Sequence, residues 1–247
     1  MFGRIYLQKS EIRMNGYGYI ERNYRELLDE VGGYEERYKR KITVVAVTKS
    51  GSDEELIALA RAGVTDIGEN RPGELKRRGE LLAEHGYRPR LHEIGNLQRN
   101  KVKLVAGMAH LIHSVGTLTL GEEISKRARE LGITVPVLIE VNSAREQAKG
   151  GVMPEEAEAL YLAVRELPSV EVRGIMTMGP AVSDAELLRP YFRLTKQIYD
   201  GINERYGFTG EGILSMGMSD SYAVAIEEGS TLIRVGRKLF DKNEGRK

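Results

Sequence analysis

Lys49 closes the run "TVVAVTK" (43–49) and is followed by a turn and a helix start, "SGSDEE". An ammonium at the end of a buried-looking β-branched run must be hydrated, paired or held in a pocket, because burying it alone is costly. Held in a pocket and partly desolvated, a lysine amine becomes a nucleophile toward carbonyls. Other polar residues stand at the ends of similar runs. In "VLIEVN" (137–142), alternation puts Leu138, Glu140 and Asn142 on one side and Val137, Ile139 and Val141 on the other. Thr43, Val45, Val47 and Lys49 share one side of their run, and Leu232, Arg234 and Gly236 one side of "TLIRVG" (231–236). The segments "LSMGMSDSY" (214–222) and "RVGRKL" (234–239) bring small residues and backbone N–H groups to helix starts, where anions bind. Ser219 and Asp220 would serve there as N-caps in either case.

These residues need elements to position them. Short apolar runs at 43–49, 65–69, 90–95, 110–115, 135–142, 171–178, 212–217 and 231–236 alternate with amphipathic helical stretches such as "SDEELIALARAG". A first helix pattern covers residues 20–41. Eight strand–helix units in about 200 residues favour a closed barrel over an open doubly wound sheet. The first turn, "KSGSDEE", also lacks the glycine patterns of nucleotide-binding open sheets. The expected fold is a single-domain α/β (β/α)8 TIM-type barrel over residues 1–247. Its additional N-terminal helix is expected at about 18–40 and its barrel at about 42–241.

In such a barrel the strand ends converge on one mouth, so Lys49, Glu140, Asn142 and Arg234 meet there. Two readings stand for that group. One is a ligand site; the other is an internal ion pair such as Glu140 with Arg234, or a solvated rim. The loops after strands seven and eight are also where barrels hold phosphate. A phosphate site opposite an interior lysine suits a phosphorylated aldehyde bound as a Schiff base, and pyridoxal 5′-phosphate meets both requirements.

Composition narrows the classes. Apolar residues are 41% of the 247, enough for a sizeable core, and the 30% charged residues nearly cancel to a net +1. Neither nucleic acid nor an anionic membrane is expected as a main partner. Without cysteine there are no disulfides and no thiolate metal sites. His85, His92, His110 and His113 show no metal-ligand spacing, and His110 and His113 are expected on opposite faces of one strand. The charged segment 1–16 does not read as a signal peptide, and no apolar run is long enough to cross a bilayer. A soluble, cytoplasmic monomer is the expectation.

The motifs "IGENR" (67–71), "LHEIGNLQRNK" (91–101), "IEVNSAREQAKGGV" (139–152), "VRGIMTM" (172–178) and "LSMGMSDSYAVAIEEGSTLIRVG" (214–236) are joined by the first strand and "IRVGRKLF" (233–240). Together they resemble the pyridoxal-phosphate homeostasis protein family (YggS/PROSC), whose barrel is similar to the N-terminal domain of alanine racemase. The resemblance implies that Lys49 forms the internal aldimine with the cofactor. It implies that Ser215, with the backbone of Gly236 and Arg237, holds the phosphate, and that Arg234 faces the pyridine nitrogen. Asn70, His92, Asn142 and Met176 would line the pocket around the ring, and Lys149 would be a second amine nearby. A guanidinium only donates, so it suits an unprotonated ring nitrogen and a poorer electron sink. The racemases also use a tyrosine from a second domain, which this chain is not expected to carry.

Some positions depart from the family pattern. Leu91 and Glu93 flank His92 where tryptophan and phenylalanine are usual, and alternation points Glu93 away from His92. The turn "KSGS" lacks the usual proline, Asp241 replaces a usual glycine, and Arg237 stands where a hydroxyl residue is common. Three functions follow for comparison. The favoured one is a non-catalytic carrier of pyridoxal phosphate and related vitamers in cofactor homeostasis, supplying dependent apo-enzymes. The others are a low-activity amino-acid racemase, and a barrel for another phosphorylated small molecule in which Lys49 only pairs charge.

Overall fold

The computed structural model describes residues 16–146 and 149–242. The charged N-terminal segment, expected not to be a signal peptide, lies almost entirely outside them. Helix α1 (Gly18–Tyr38) buries Ile20, Tyr24, Leu27 and Val31, the four-, three- and four-residue steps of a single helical stripe. Strand β1 (Thr43–Val47) follows, then α2 (Asp53–Arg61), β2 (Asp66–Glu69), α3 (Pro72–Glu84) and β3 (Arg90–Glu93). A 3₁₀ turn at Arg99–Leu104 leads into β4 (Leu111–Val115), α4 (Leu118–Leu131), β5 (Val135–Val141), α5 (Ala157–Arg165) and β6 (Val170–Thr177). The chain completes with α6 (Arg189–Tyr206), β7 (Ile213–Met218), α7 (Tyr222–Glu227), β8 (Leu232–Val235) and α8 (Arg237–Phe240). All eight strands lie where the apolar runs predict them, and they form a closed parallel barrel in sequence order, β8 pairing with β1.

Alternation decides which side chains fill the barrel. Val45, Leu111, Leu138, Met176 and Leu232 form the interior cluster. Val44, Ala46, Ile233 and Val235 pack outward with α1 and α2, and Val137, Ile139 and Val141 pack outward in the other large cluster. Local starts are encoded as expected: Ser52 accepts from the Glu55 N–H at 3.2 Å while Glu55 Oε2 accepts from the Ser52 N–H at 2.7 Å, a capping box that opens α2.

One strand breaks its period. The β5–β6 register slips between Val137 and Leu138, which pair with Val172 and Gly174. Gly174 sits at φ +151, and a Cβ there would lie 1.9 Å from the Ile213 carbonyl oxygen, so only glycine fits the bulge. The extra residue turns Met176 inward although Val172 and Ile175 both face out. Helix α1 is pinned to the end of the barrel chain. Asn23 Nδ2 donates to the carbonyls of Leu239 and Asp241 at 3.2 and 2.9 Å, and Lys238 pairs with Glu30 at 2.7 Å. Tyr17 and Tyr19 serve this packing, Tyr19 donating its hydroxyl to Glu55.

Candidate functional site

Lys49 lies two residues past β1, exposed at the C-terminal rim, and no described residue pairs with its amine. It lines a cavity of about 330 Å³ together with Asn70, Glu69, Arg71 and Arg78. The turn carrying it is held from beneath. Arg78, buried on α3, donates to the carbonyls of Thr48 at 2.7 Å and Gly51 at 2.8 Å and pairs with Glu69 at 3.2 Å. Thr48 donates its hydroxyl to the same Glu69 carboxylate. Two backbone oxygens fixed by one guanidinium orient the chain on both sides of Lys49, which pre-organises the amine.

Below the rim a chain of polar groups crosses the barrel interior. Asp66 Oδ1 meets His92 Nε2 at 2.8 Å, His92 Nδ1 meets His113 Nε2 at 3.0 Å, and His113 Nδ1 meets Ser215 Oγ at 3.1 Å. Arg234 ends the chain, donating to Ser215 Oγ and, at 2.9 Å, to the Thr177 carbonyl. The proton positions follow from the two ends. A guanidinium only donates, so Ser215 accepts from Arg234; with both imidazoles neutral the Asp66 carboxylate takes the Nε2 proton of His92, His92 Nδ1 accepts from His113 Nε2, and Ser215 sends its own proton to His113 Nδ1. Burial, with His92 and Arg234 adding, pushes His113 well below the ordinary histidine range, so its single proton is on Nε2 and goes to His92. His92 then donates from Nε2 to the Asp66 carboxylate. Burial by itself would raise that carboxyl, but hydrogen bonds from His92, Arg90 and Thr65 outweigh it and hold it at about 2. Every bond of the relay therefore points from Arg234 toward Asp66.

Replacing Asp66 with asparagine exchanges a carboxylate that only accepts for a neutral amide that can also donate, and so lets the relay reverse. We expect the ¹⁵N shifts of His92 and His113 to report changed tautomers, and the denaturation midpoint to fall by the equivalent of about 1–3 kcal/mol. Imidazole shifts unchanged from the wild type would contradict a relay that runs from Arg234 to Asp66.

The remaining expected residues divide in use. Asn142 is buried and ties its own loop, Nδ2 donating to the Glu146 carbonyl at 2.8 Å and Oδ1 accepting from the Glu146 N–H at 3.2 Å. Lys149 is half-buried, donating to Glu146 at 2.9 Å and to the Gly179 carbonyl at 3.0 Å. Met176 is in the interior cluster, and His92 and Ser215 lie in the relay beneath the rim. Glu140 makes no ion-pair contact with Arg234; burial raises its carboxyl to about 7, the guanidinium opposing, and Arg234 is pushed down to about 10 by its own burial. The ion-pair alternative for these two is therefore not formed. Nor do Ser219 and Asp220 cap a helix. Ser219 Oγ accepts from the Gly236 N–H at 3.1 Å and Asp220 pairs with Arg237, so the loops after β7 and β8 are tied together. A Cβ on Gly236 would stand 3.0 Å from the Val47 carbonyl oxygen, which keeps this turn flush against β1.

Asp66, His113 and Arg78 are the residues missed from sequence. His113 shares a side with the interior Leu111 and was legible by alternation; Asp66 reaches His92 and Arg78 reaches the Thr48 and Gly51 carbonyls across more than twenty residues. His110 also turns toward His92, ring to ring at 5.7 Å, against the expectation from its spacing to His113. Among the described residues no group of three or more histidines and carboxylates is placed to hold a metal ion, and no described helix is long and apolar enough to cross a membrane.

The closed parallel barrel is that of the alanine racemase N-terminal domain class, and that family matches residues 19–243. Within it, the chain belongs to the pyridoxal phosphate homeostasis protein family. The protein of that name from Aquifex aeolicus is 39% identical over 201 residues, 81% of this chain and 87% of its own length. The structure of PipY from Synechococcus elongatus with PLP bound superposes with a TM-score of 0.78 at 25% identity, covering 90% of this chain and all of that one. A Bifidobacterium adolescentis protein of unknown role superposes at 0.83 with 34% identity, over 91% and 96% of the two chains.

Proposed function

We propose that this chain binds pyridoxal 5′-phosphate covalently at Lys49 and keeps it available for transfer, without a full catalytic apparatus of its own. The observation that carries the proposal is the unpaired amine of Lys49 at the barrel rim, on a turn fixed by Arg78, in a chain of this family. The amine adds to the cofactor aldehyde and water leaves, giving a reversible Schiff base. That bond is the chemistry the bound group supplies.

The phosphate is assigned to the loops after β7 and β8, to Ser215 and the N–H groups of Gly236 and Arg237. In the structure the Gly236 N–H is taken by Ser219 and the Ser215 hydroxyl by Arg234 and His113, so phosphate binding exchanges these partners. Arg234 uses two of its nitrogens on Ser215 and Thr177, and its other N–H groups remain for the ring nitrogen. Asn70 sits in the same cavity as Lys49 and is assigned to the ring, as are His92, Asn142 and Met176, the last three acting from beneath or beside it. A cytoplasmic, monomeric carrier that serves pyridoxal-dependent apo-enzymes completes the reading.

The test is to mix the purified chain with pyridoxal 5′-phosphate, reduce with borohydride, and map the labelled peptide by mass spectrometry. A pyridoxyl group on Lys49 supports the proposal, and an unlabelled chain overturns it. Incubating the loaded protein with L-alanine in deuterium oxide separates carrier from racemase, since only a racemase exchanges the α-proton.

A further inference from the structure

Across the barrel from Lys49, a cavity of about 850 Å³ opens over the ends of β4 and β5. Cofactor carriage at Lys49 gives it no task. Its two poles have opposite charge. At the negative pole Glu140 is only 7% exposed, and its carboxylate takes a hydrogen bond from no described residue. The loop at Gly150 closes over it, with a Cβ at that glycine 3.2 Å from Glu140 Oε2. A buried carboxyl without a donor is costly and is satisfied by a ligand that brings one.

The positive pole is the start of α4, a helix of 14 residues. Thr117 caps it, accepting from the Leu120 N–H at 3.3 Å, which leaves the N–H groups of Leu118 and Thr119 without an intrahelical partner. No acidic residue stands in this first turn to offset the helix dipole. Arg99 lines the same cavity, exposed and without a carboxylate partner among the described residues. The other acid of the lining, Glu123, is already paired with Arg127 at 2.9 Å. Glu140 is thus the lining carboxylate left for a cation, while Arg99 and the helix start remain for an anion.

We propose that this cavity binds a free α-amino acid, with the ammonium on Glu140 and the carboxylate on Arg99 and the first turn of α4. A zwitterion with its two charges a few bonds apart supplies both poles at once, and neither an isolated amine nor an isolated acid does. None of these residues depends on the cofactor, so the site stands or falls separately from the assignment of Lys49.

The experiment is isothermal titration of the full chain carrying Lys49→Ala, which removes Schiff-base exchange at that lysine, with a panel of the common amino acids. Saturable binding by at least one of them is expected. It should weaken about tenfold or more in Glu140→Gln and in Arg99→Ala, and for the matching amine that lacks the carboxylate. Glu140→Gln keeps the shape of the side chain, and a circular dichroism melt confirms that each variant is folded before its titration is read. No saturable binding by any amino acid overturns the proposal. So does binding that Glu140→Gln leaves unchanged, or equal binding by the decarboxylated amine.

Discussion

Lys49→Ala is expected to carry no pyridoxyl label after borohydride treatment and to show no imine absorbance band with pyridoxal 5′-phosphate at any concentration tried. The effect is total because the bond needs an amine at that point of the rim, and no other lysine lines the 330 Å³ cavity. Lys149 is the only rival suggested by the sequence, and it is occupied by Glu146 and the Gly179 carbonyl. Non-covalent binding should persist in Lys49→Ala, since the loops after β7 and β8 and the buried Arg234 are untouched; equilibrium dialysis reads it. A label that moves to Lys149 in the variant would transfer the covalent role to the loop after β5. A variant labelled as fully as the wild type would remove Lys49 from the site.

The second large effect concerns stability against pH. Glu93 ends β3 pointing away from His92 and is fully buried beside Glu69, its register partner on β2. Its Oε1 accepts from the Gly95 N–H at 3.1 Å, while Oε2 has no partner among the described residues. Burial raises its carboxyl from the ordinary 4.5 to about 8, Gly95 opposing and the neighbouring Glu69 charge adding. The folded chain therefore keeps a proton that the unfolded chain gives up above 4.5. Stability is at its full value below that pH, declines as pH rises, and has lost this contribution by the time pH passes about 8. At about 1.4 kcal/mol per pKa unit, the loss reaches about 5 kcal/mol.

Glu93→Gln retains an oxygen for the Gly95 N–H and has no proton to lose. Guanidinium melts should find the variant close to wild type at pH 5 and more stable by several kcal/mol, of order 5, at pH 9. A difference between the two chains that is the same at both pH values would show that Glu93 titrates normally. Glu140, raised to about 7, tilts the stability of both chains in the same direction, so the comparison isolates Glu93.

How much of this was legible beforehand depends on how far along the chain each feature reaches. The eight strands, the N-terminal helix and the inward side of β1, β5 and β8 are set by residues two to four positions apart, and the sequence determined them. Lys49 at the rim and Arg234 inside follow from the same alternation. The pyridoxal family was legible too, because long ordered motifs survive together. The uses of individual side chains were not. Met176 faces inward only because Gly174 inserts a bulge that a simple two-residue period does not contain. Ser215 bonds His113 and accepts from Arg234, and Asp66 acts through His92, across separations of 19 to 102 residues. Such pairings exist only once the barrel closes and brings β2, β3, β4, β7 and β8 around one interior. Ring closure also decided that Glu93 would be buried, since a strand's outward side is covered by whatever helix packs there. Local periodicity is a property of neighbours along the chain; the partner of a buried polar group is a property of the closed sheet.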